Sequence, residues 1–246
     1  MTETTLTGQG LTLDHRPFAT LGSANHGWLD AHHHFSFANY LDRRRMRLGA
    51  IRVWKDRRCD PASTPAFRDA WPVMIWEDYS FTYVREGAIT HQDSLGNKGR
   101  TEAGDVQVMS AGTGIMHSEI NADDALCRLF QIWVMPRTRG IAPRWDQRRF
   151  PQRDGAGLAL LASGYGEAGA LALNADARLF GANAAAGTQI EHDLRGASHA
   201  YLVPASGKLR IGEVVLEARD GLAIAGRGRL VIEVLEDSEL VMVETP

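Results

Sequence analysis

The segment GDVQVMSAGTGIMHSEIN, residues 104–121, has the pattern of a β-strand, a glycine-rich turn and a second β-strand. The second strand carries His117 and Glu119. Because side chains two residues apart on a strand point to the same face, this imidazole and this carboxylate would share one face. If that face lines a barrel interior, the pair suits iron, manganese, nickel or copper. Alternatively, the two groups pair with each other or face solvent.

Short strands and tight turns continue on both sides of this segment. The chain has 25 glycines at short intervals, with short alternating apolar runs between them. The strands predicted in the first half are Ser80–Val84, Ala88–Asp93, Asp105–Met109 and Arg128–Met135. Those predicted in the second half are Ala200–Val203, Lys208–Ile211, Val214–Leu216, Leu222–Ile224, Leu230–Leu235 and Leu240–Val243. Helical patterns are sparse, so the sequence predicts an all-β protein built as a sandwich or barrels.

A domain boundary is predicted near residues 143–151, where two prolines and a charged cluster follow the last strong strand of the first half. A chain of 246 residues is long enough for two domains of about 100–150 residues each. We therefore predict one barrel from residues 1–148 and a second from residues 149–246. The Ala- and Gly-rich stretch 156–187 would begin the second barrel.

Composition excludes several classes of protein. Hydrophobic residues make up 44% and charged residues 23%, which is ordinary for a globular protein. A net charge of −3 gives no electrostatic reason to expect nucleic-acid binding, and no apolar run is long enough to span a membrane. The N-terminus lacks the apolar core of a signal peptide, and Cys59 and Cys127 form no CxxC pair. We therefore expect a cytoplasmic protein.

Seven ordered blocks of the first 150 residues point to one family. They are HGWLD (26–30), FSFANY (35–40), TYVREG (82–87), THQDSLGNKG (90–99), GDVQVMSAGTGI-x-HSE (104–119), QIWVMP (131–136) and GIAPRWDQRRF (140–150). These blocks closely resemble the pirins, a branch of the cupin superfamily. The resemblance implies two tandem cupin barrels, each a double-stranded β-helix or jelly roll. It also implies one divalent transition metal ion, usually iron, held in the N-terminal barrel by three His and one Glu.

The resemblance extends to an activity, because bacterial pirins carry the name quercetin 2,3-dioxygenase. Such an enzyme opens the ring of a metal-bound flavonol with O₂ and releases carbon monoxide. A small aromatic substrate is therefore the expected partner. The His-x-Glu pair of the family falls on His117 and Glu119, which the resemblance makes metal ligands.

The other half of the family's metal motif is missing. The two positions of its His-x-His pair fall on Val73 and Ile75, and a Glu that follows them falls on Tyr79. Protein sites for transition metals typically supply three or four ligands. We therefore expect weak metal binding and little quercetin cleavage.

The resemblance vanishes between Asp56 and Ser80. The segment contains Pro61, Pro65 and Pro72, so we expect it to be mostly irregular and to lie at the mouth of the first barrel. Two explanations stay open, namely divergence to a role without metal and a local reading-frame error. Two acidic residues, Glu77 and Asp78, could substitute as ligands but are expected to face solvent.

Other candidate residues have simpler interpretations. His91 lies in a block that pirins share but do not use for metal, so we predict a structural role. His33, in the run His32–His34, is expected to pack or hydrogen-bond. The alternative to an enzyme is a non-catalytic bicupin that binds a small molecule or a protein partner, or a redox sensor that uses Cys59 or Cys127.

Overall fold

The computed structural model describes residues 3–6, 10–61, 73–75, 79–149, 157–194 and 199–246, and at 3–6, 73–75 and 79 it describes the backbone alone. Regular structure in these residues consists of β-strands and two short 3-10 helices, Phe18–Thr20 and Arg43–Arg45. No helix in this part of the chain is long and apolar enough to cross a bilayer. The all-β prediction is confirmed.

The strands of the first half alternate with short turns. In chain order they are β1 (Glu3–Leu6), β2 (Leu11–Arg16), β3 (Gly22–Asn25), β4 (Leu29–His33), β5 (Ile51–Cys59), β6 (Val73–Ile75), β7 (Tyr79–Glu86), β8 (Ala88–Asp93), β9 (Lys98–Glu102), β10 (Asp105–Ser110), β11 (Ile115–Ile120), β12 (Cys127–Val134) and β13 (Arg144–Arg149). A seven-stranded sheet has the order β13-β10-β7-β12-β5-β4-β3, and a four-stranded sheet has the order β6-β11-β8-β9. These two sheets form the first barrel.

The second half repeats the pattern. Its strands are β14 (Ala159–Ser163), β15 (Leu171–Ala172), β16 (Arg178–Ala184), β17 (Gln189–Asp193), β18 (His199–Ser206), β19 (Lys208–Ile211), β20 (Val214–Glu217), β21 (Gly221–Gly226), β22 (Arg229–Val234) and β23 (Ser238–Thr245). An eight-stranded sheet, β1-β2-β21-β18-β23-β16-β14-β15, and a four-stranded sheet, β17-β22-β19-β20, form the second barrel. The N-terminal strands β1 and β2 therefore belong to the sheet of the second barrel.

Strand β12 shows how sequence alternation builds both the interior and the interface. Phe130 and Ile132 point toward the second barrel and join a large apolar cluster that contains residues of both halves. Leu129 and Gln131, the alternate residues, point into the first barrel. A single period-2 pattern thus places an apolar face between the barrels and a mixed face inside one of them.

A buried ion cluster also joins the barrels. The carboxylate of Asp56, on β5, is 1% exposed and lies 2.5 Å from Nη2 of Arg85 and 2.5 Å from Nε of Arg219. Arg219 belongs to the second half of the chain, so one buried carboxylate is shared by cations from both halves. A buried charge held between two guanidinium groups satisfies the rule that such charges must be paired.

The strands predicted from sequence are confirmed, because each lies inside an observed strand or extends one residue past its end. The expectation of irregular structure within residues 56–80 is wrong at three places, the last of which is residues 79–80 at the start of β7. Residues 56–59 continue β5 and pair on both sides with β4 and β12, because the first proline comes only at position 61. Residues 73–75 form β6, which pairs with β11. Residues 62–72 and 76–78, and with them Glu77 and Asp78, lie outside the described residues.

The division between residues 148 and 149 stays a prediction. It falls at the end of β13, beside residues 150–156, which lie outside the described part of the chain.

Candidate metal centre

A glycine-containing turn connects β10 to β11 in the first barrel. Gly112 has φ of +51°, and a Cβ built there would lie 2.1 Å from the carbonyl oxygen of Ile141. Only glycine fits this close approach in a left-handed conformation. The amide of Gly114 donates to the carbonyl of Ala111 at 2.8 Å, which closes the turn between β10 and β11. The turn therefore takes the chain from β10, in the seven-stranded sheet, to β11, in the four-stranded sheet.

His117 and Glu119 both point into the first barrel, as the alternation on β11 predicts. His117 is 7% exposed, and the Glu119 side chain is 6% exposed. Oε1 of Glu119 accepts hydrogen bonds from Nε2 of Gln107 and, at 3.3 Å, from Oγ1 of Thr82. Oε2 accepts one from Nε2 of Gln131 at 2.6 Å. The carboxylate is thus held by side chains from three strands of the opposite sheet.

A cation also approaches this carboxylate. Nη1 of Arg57, on β5, lies 3.6 Å from Oε2 of Glu119. Sequence reasoning missed Arg57, because its place beside Glu119 depends on β5 continuing in regular pairing as far as Cys59.

His91 is the second residue that sequence reasoning did not place at the site. A nitrogen of His91, a nitrogen of His117 and an oxygen of Glu119 lie within 4.8 Å of one another. β8 runs antiparallel to β11 with His91 directly across from Glu119, so the two side chains share a face. The spacing of His91 and Asp93, two apart on one predicted strand, is the only signal in the sequence for this arrangement.

Neighbouring groups fix the His91 ring. Its Nε2 lies 3.1 Å from Oδ2 of Asp93, and its plane stacks on Trp145 at 5.1 Å between centroids with 7° between planes. Burial works to raise the pKa of Asp93, but hydrogen bonds from Asn97 and His91 lower it overall, so the carboxylate is ionised. An ionised carboxylate accepts a hydrogen bond from the Nε2–H of His91, and the lone pair of the ring then lies on Nδ1. Metal-bound histidines are commonly oriented by a carboxylate in this way.

The donor set fits a divalent transition metal ion. Nδ1 of His91 and Nδ1 of His117 are both buried without a hydrogen-bond partner among the described residues. Burial lowers the pKa of His117, so its ring is neutral at pH 7, which is the form that binds metals. Two imidazoles and one carboxylate, with water or substrate as further ligands, are the types of donor that transition-metal sites use.

A cavity of about 550 Å³ opens beside His117 and Glu119. Its walls include Trp28, Phe37 and Trp133. The ammonium of Lys55 lies 3.6 Å from the ring centroid of Phe37 and 4.1 Å from that of Trp133. The cavity volume is in the range of sites for small organic ligands, and its wall combines aromatic rings with positive charge.

Comparison with known proteins agrees with this architecture. The pirin family profile matches residues 15–134, and the profile of the quercetinase C-terminal cupin domain matches residues 160–245. A pirin-like protein of Caulobacter vibrioides is 48% identical over 235 residues, covering 94% of this chain and 99% of the relative. The chain belongs to the pirin family. The quercetin 2,3-dioxygenase of Escherichia coli K12 is 38% identical over 226 residues, covering 92% of this chain and 95% of that enzyme.

A solved structure matches nearly all of this chain. The bacterial pirin YhhW from Escherichia coli, crystallised in complex with nickel(II), superposes with a TM-score of 0.87 at 36% identity. The match covers 95% of this chain and 99% of YhhW. The two tandem cupin domains expected from sequence are therefore shown.

The backbone of this pirin supports the positions assigned to the missing histidines. In the pairing of β6 with β11, Val73 lies directly across from His117 and Ile75 directly across from Ile115. Directly opposed residues of antiparallel strands belong to the same face of a sheet. The register therefore places position 73 beside the first of the two predicted ligands.

The three side chains of the run His32–His34 contact different partners. The His32 ring packs on Phe18 at 4.3 Å, and Nδ1 of His34 lies 3.0 Å from the hydroxyl of Tyr201. His33 packs on Phe37 at 5.4 Å and borders the cavity, in line with the packing role predicted for it. Burial, with a further contribution from Lys55, lowers the pKa of His33 to about 4.

The two cysteines lie directly across from each other on β5 and β12. Both are free thiols and buried. Burial raises the pKa of Cys59, and it raises that of Cys127 to about 12. Since thiolates are the reactive form, these protonated thiols give little support to the redox-sensor alternative.

Proposed function

We propose that this pirin binds one divalent transition metal ion, iron in the cell, through His117 and Glu119, and that it oxidises a flavonol of the quercetin type with O₂ at a low rate. The observation that carries the proposal is that a nitrogen of His91, a nitrogen of His117 and an oxygen of Glu119 lie within 4.8 Å of one another, with His117 and Glu119 bordering the cavity.

The residues of the site have separable roles in this proposal. His117 would supply a neutral nitrogen, and Glu119 would supply a charged oxygen whose direction is fixed by Gln107 and Gln131. A bound divalent ion would supply Lewis acidity toward an ionised flavonol hydroxyl. The low rate follows from Val73 and Ile75, which occupy the positions of two family ligands.

The cavity wall favours a planar anionic substrate. The rings of Trp28 and Trp133 offer a flat apolar surface. An aromatic ligand could stack on this surface and remove its own apolar face from water. The positive charge of Lys55 would attract a flavonol that has lost a proton. These features match a phenolic substrate better than a neutral aliphatic one.

The experiment is metal retention together with quercetin turnover. Protein prepared without a histidine tag would be loaded with Fe²⁺ or Ni²⁺, passed over a desalting column and measured by elemental analysis. We expect less than one ion per chain, and O₂ uptake with quercetin above the free-metal background. Both should be lost in His117→Ala and Glu119→Gln. Equal retention by wild type and both variants would contradict the proposed site.

One observation favours a second function, a non-catalytic bicupin that binds an aromatic anion without metal. The Glu119 carboxylate already has four partners in the protein, including the charged Arg57. Binding of 3-hydroxyflavone that is unaffected by a strong chelator, with no metal in the purified protein, would support this alternative over the enzyme.

A further inference from the structure

Arg57 occupies an unusual position for a cation. It lies on β5 between β4 and β12, its side chain is 11% exposed, and it borders the cavity. Its neighbour Arg58, by contrast, is 48% exposed and pairs at 2.9 Å with Asp60 on the outside of the barrel. Two adjacent arginines on one strand therefore point to opposite faces, and only Arg57 reaches Glu119.

We propose that Arg57 is a built-in counter-ion of Glu119 that competes with a divalent cation for this carboxylate. The inference rests on the proposed metal site. Both oxygens of Glu119 are engaged in the described structure, and a metal ion must displace or share at least one partner. Three of those partners, the hydroxyl of Thr82 and the amides of Gln107 and Gln131, are neutral. Arg57 alone carries a charge of the same sign as the ion.

The ion pair of Arg57 and Glu119 lies in a largely buried part of the site. The side chains of Arg57 and Glu119 are 11% and 6% exposed, so their interaction is screened less than that of a surface pair. A cation that stabilises the carboxylate without metal also repels an incoming ion. Both effects weaken metal binding, and both disappear when the guanidinium is removed.

The cavity has room for a second position of the Arg57 side chain. Because Arg57 borders the 550 Å³ cavity, its guanidinium can turn away from Glu119 and stay hydrated. Metal uptake therefore requires a side-chain movement and no change of the barrel. In this arrangement Arg57 pairs with the carboxylate of Glu119 when no metal is bound, and its side chain moves away from the carboxylate when an ion binds.

The test compares four proteins, namely wild type, Arg57→Met, Arg57→Lys and the matched control Arg58→Met. Each would be stripped with a chelator and titrated with Ni²⁺ by calorimetry. We expect Arg57→Met to bind Ni²⁺ at least about tenfold more tightly than wild type, because a like charge close to the ion has been removed. Arg57→Lys, which keeps the charge, and Arg58→Met should stay within about threefold of wild type.

A second measurement separates charge from packing. Without metal, Arg57→Met should unfold at a lower temperature than wild type, because Glu119 has lost its counter-ion. Added Ni²⁺ should raise the unfolding temperature of Arg57→Met again. If Arg57→Met does not fold, Arg57→Gln, which is neutral but polar, takes its place in both measurements.

The outcomes distinguish this inference from the function on which it rests. Measurable Ni²⁺ binding by wild type with no gain in Arg57→Met overturns the role of Arg57 and leaves the metal site standing. A gain of equal size in Arg58→Met also overturns it, since a general charge effect would then explain both. The absence of Ni²⁺ binding in all four proteins overturns the metal site and the inference together.

Discussion

The two barrels share an architecture and differ in what fills them. The interior of the second barrel is a cluster of buried aliphatic side chains, among them Leu13, Leu202, Leu222, Ile232 and Met242. The interior of the first barrel is divided: two small apolar clusters flank a polar centre that opens on a cavity. That centre is formed by Thr82, Gln107, His117, Glu119 and Gln131.

This difference shows that inward-facing positions, rather than the strand framework, determine what each barrel can do. The second barrel gains stability by removing apolar surface from water. The first barrel gives up part of that gain for a hydrogen-bonded network around Glu119, in which a buried group that loses its partner is costly. The predictions below test this contrast, from the largest expected effect to the smallest.

The largest effect is expected from a cavity in the second barrel. Leu202→Ala removes a fully buried side chain and should lower the free energy of unfolding by about 3–5 kcal/mol. In the first barrel, Thr82→Val keeps the volume and removes one long hydrogen bond to Glu119, at a cost of about 1 kcal/mol or less. Urea denaturation of both variants measures the two values. Equal losses would mean that the first barrel depends on packing at its centre as much as the second.

Restoring the family's histidines should have the next largest effect. Val73→His with Ile75→His adds two imidazoles at positions that the register aligns with His117 and Ile115. Metal affinity should rise by at least about a hundredfold, more than is typical for changes in groups that only orient ligands. Competition with a chromophoric chelator measures it, and Val73→Ala with Ile75→Ala is the control. An unchanged affinity would show that β6 does not carry the missing ligands.

Removing His91 should weaken metal binding by about tenfold, because a nitrogen of its ring lies within 4.8 Å of the donor atoms of His117 and Glu119. His91→Phe keeps a ring to stack on Trp145 and removes both nitrogens. The matched control is His192→Phe in the second barrel, since His192 also pairs with a carboxylate, Glu244, and packs on an aromatic ring. The measurement is Ni²⁺ affinity by calorimetry. A loss confined to His192→Phe, or shared equally by both, would refute the role of His91.

The smallest effect concerns a carboxyl group of the second barrel. Burial raises the pKa of Glu239 to about 7, while its ordinary value is 4.5. The neighbours directly across from it, Asn183 on β16 and Ser206 on β18, are uncharged. The folded state therefore favours the protonated form of Glu239. The stabilisation that this preference gives the folded protein is complete below pH 4.5 and is lost as the pH rises through 7.

Glu239→Gln should therefore unfold at nearly the same temperature as wild type at pH 4 and at a temperature roughly 2–4 °C higher at pH 8. Thermal unfolding followed by circular dichroism at both pH values measures the difference. A difference that does not change between pH 4 and pH 8 would show that Glu239 titrates as an exposed acid.

Local sequence patterns predicted much of the fold. Strand β8 was predicted with its observed bounds, Ala88–Asp93, because glycine turns and polar residues mark both ends. The inward direction of His117 and Glu119 followed from the two-residue period of β11. These features depend only on neighbours in the sequence, which is where pattern reasoning is strongest.

Features that depend on long-range pairing were not predicted. His91 reaches Glu119 only through the register of β8 against β11, and Arg57 does so only through the packing of one sheet against the other. Pairing of β2 with β21 brings together residues 11–16 and 221–226, which are far apart in the sequence, and no local pattern in residues 11–16 indicates it. The sequence therefore located two donors of the candidate site and missed the groups that surround them.

The position of β2 has a consequence for how the chain folds. Leu11 and Leu13 are fully buried in the second barrel, where β2 lies against β21. During synthesis these leucines emerge well before their partner strand, because Leu11 pairs with Gly226 and Leu13 pairs with Ile224. Closing so long a loop is slow. Until it closes, the unpaired β2 can aggregate with other chains or bind chaperones. A fragment ending at residue 148 would keep β2 without its partner, and a fragment beginning at 149 would lack two leucines of its own core.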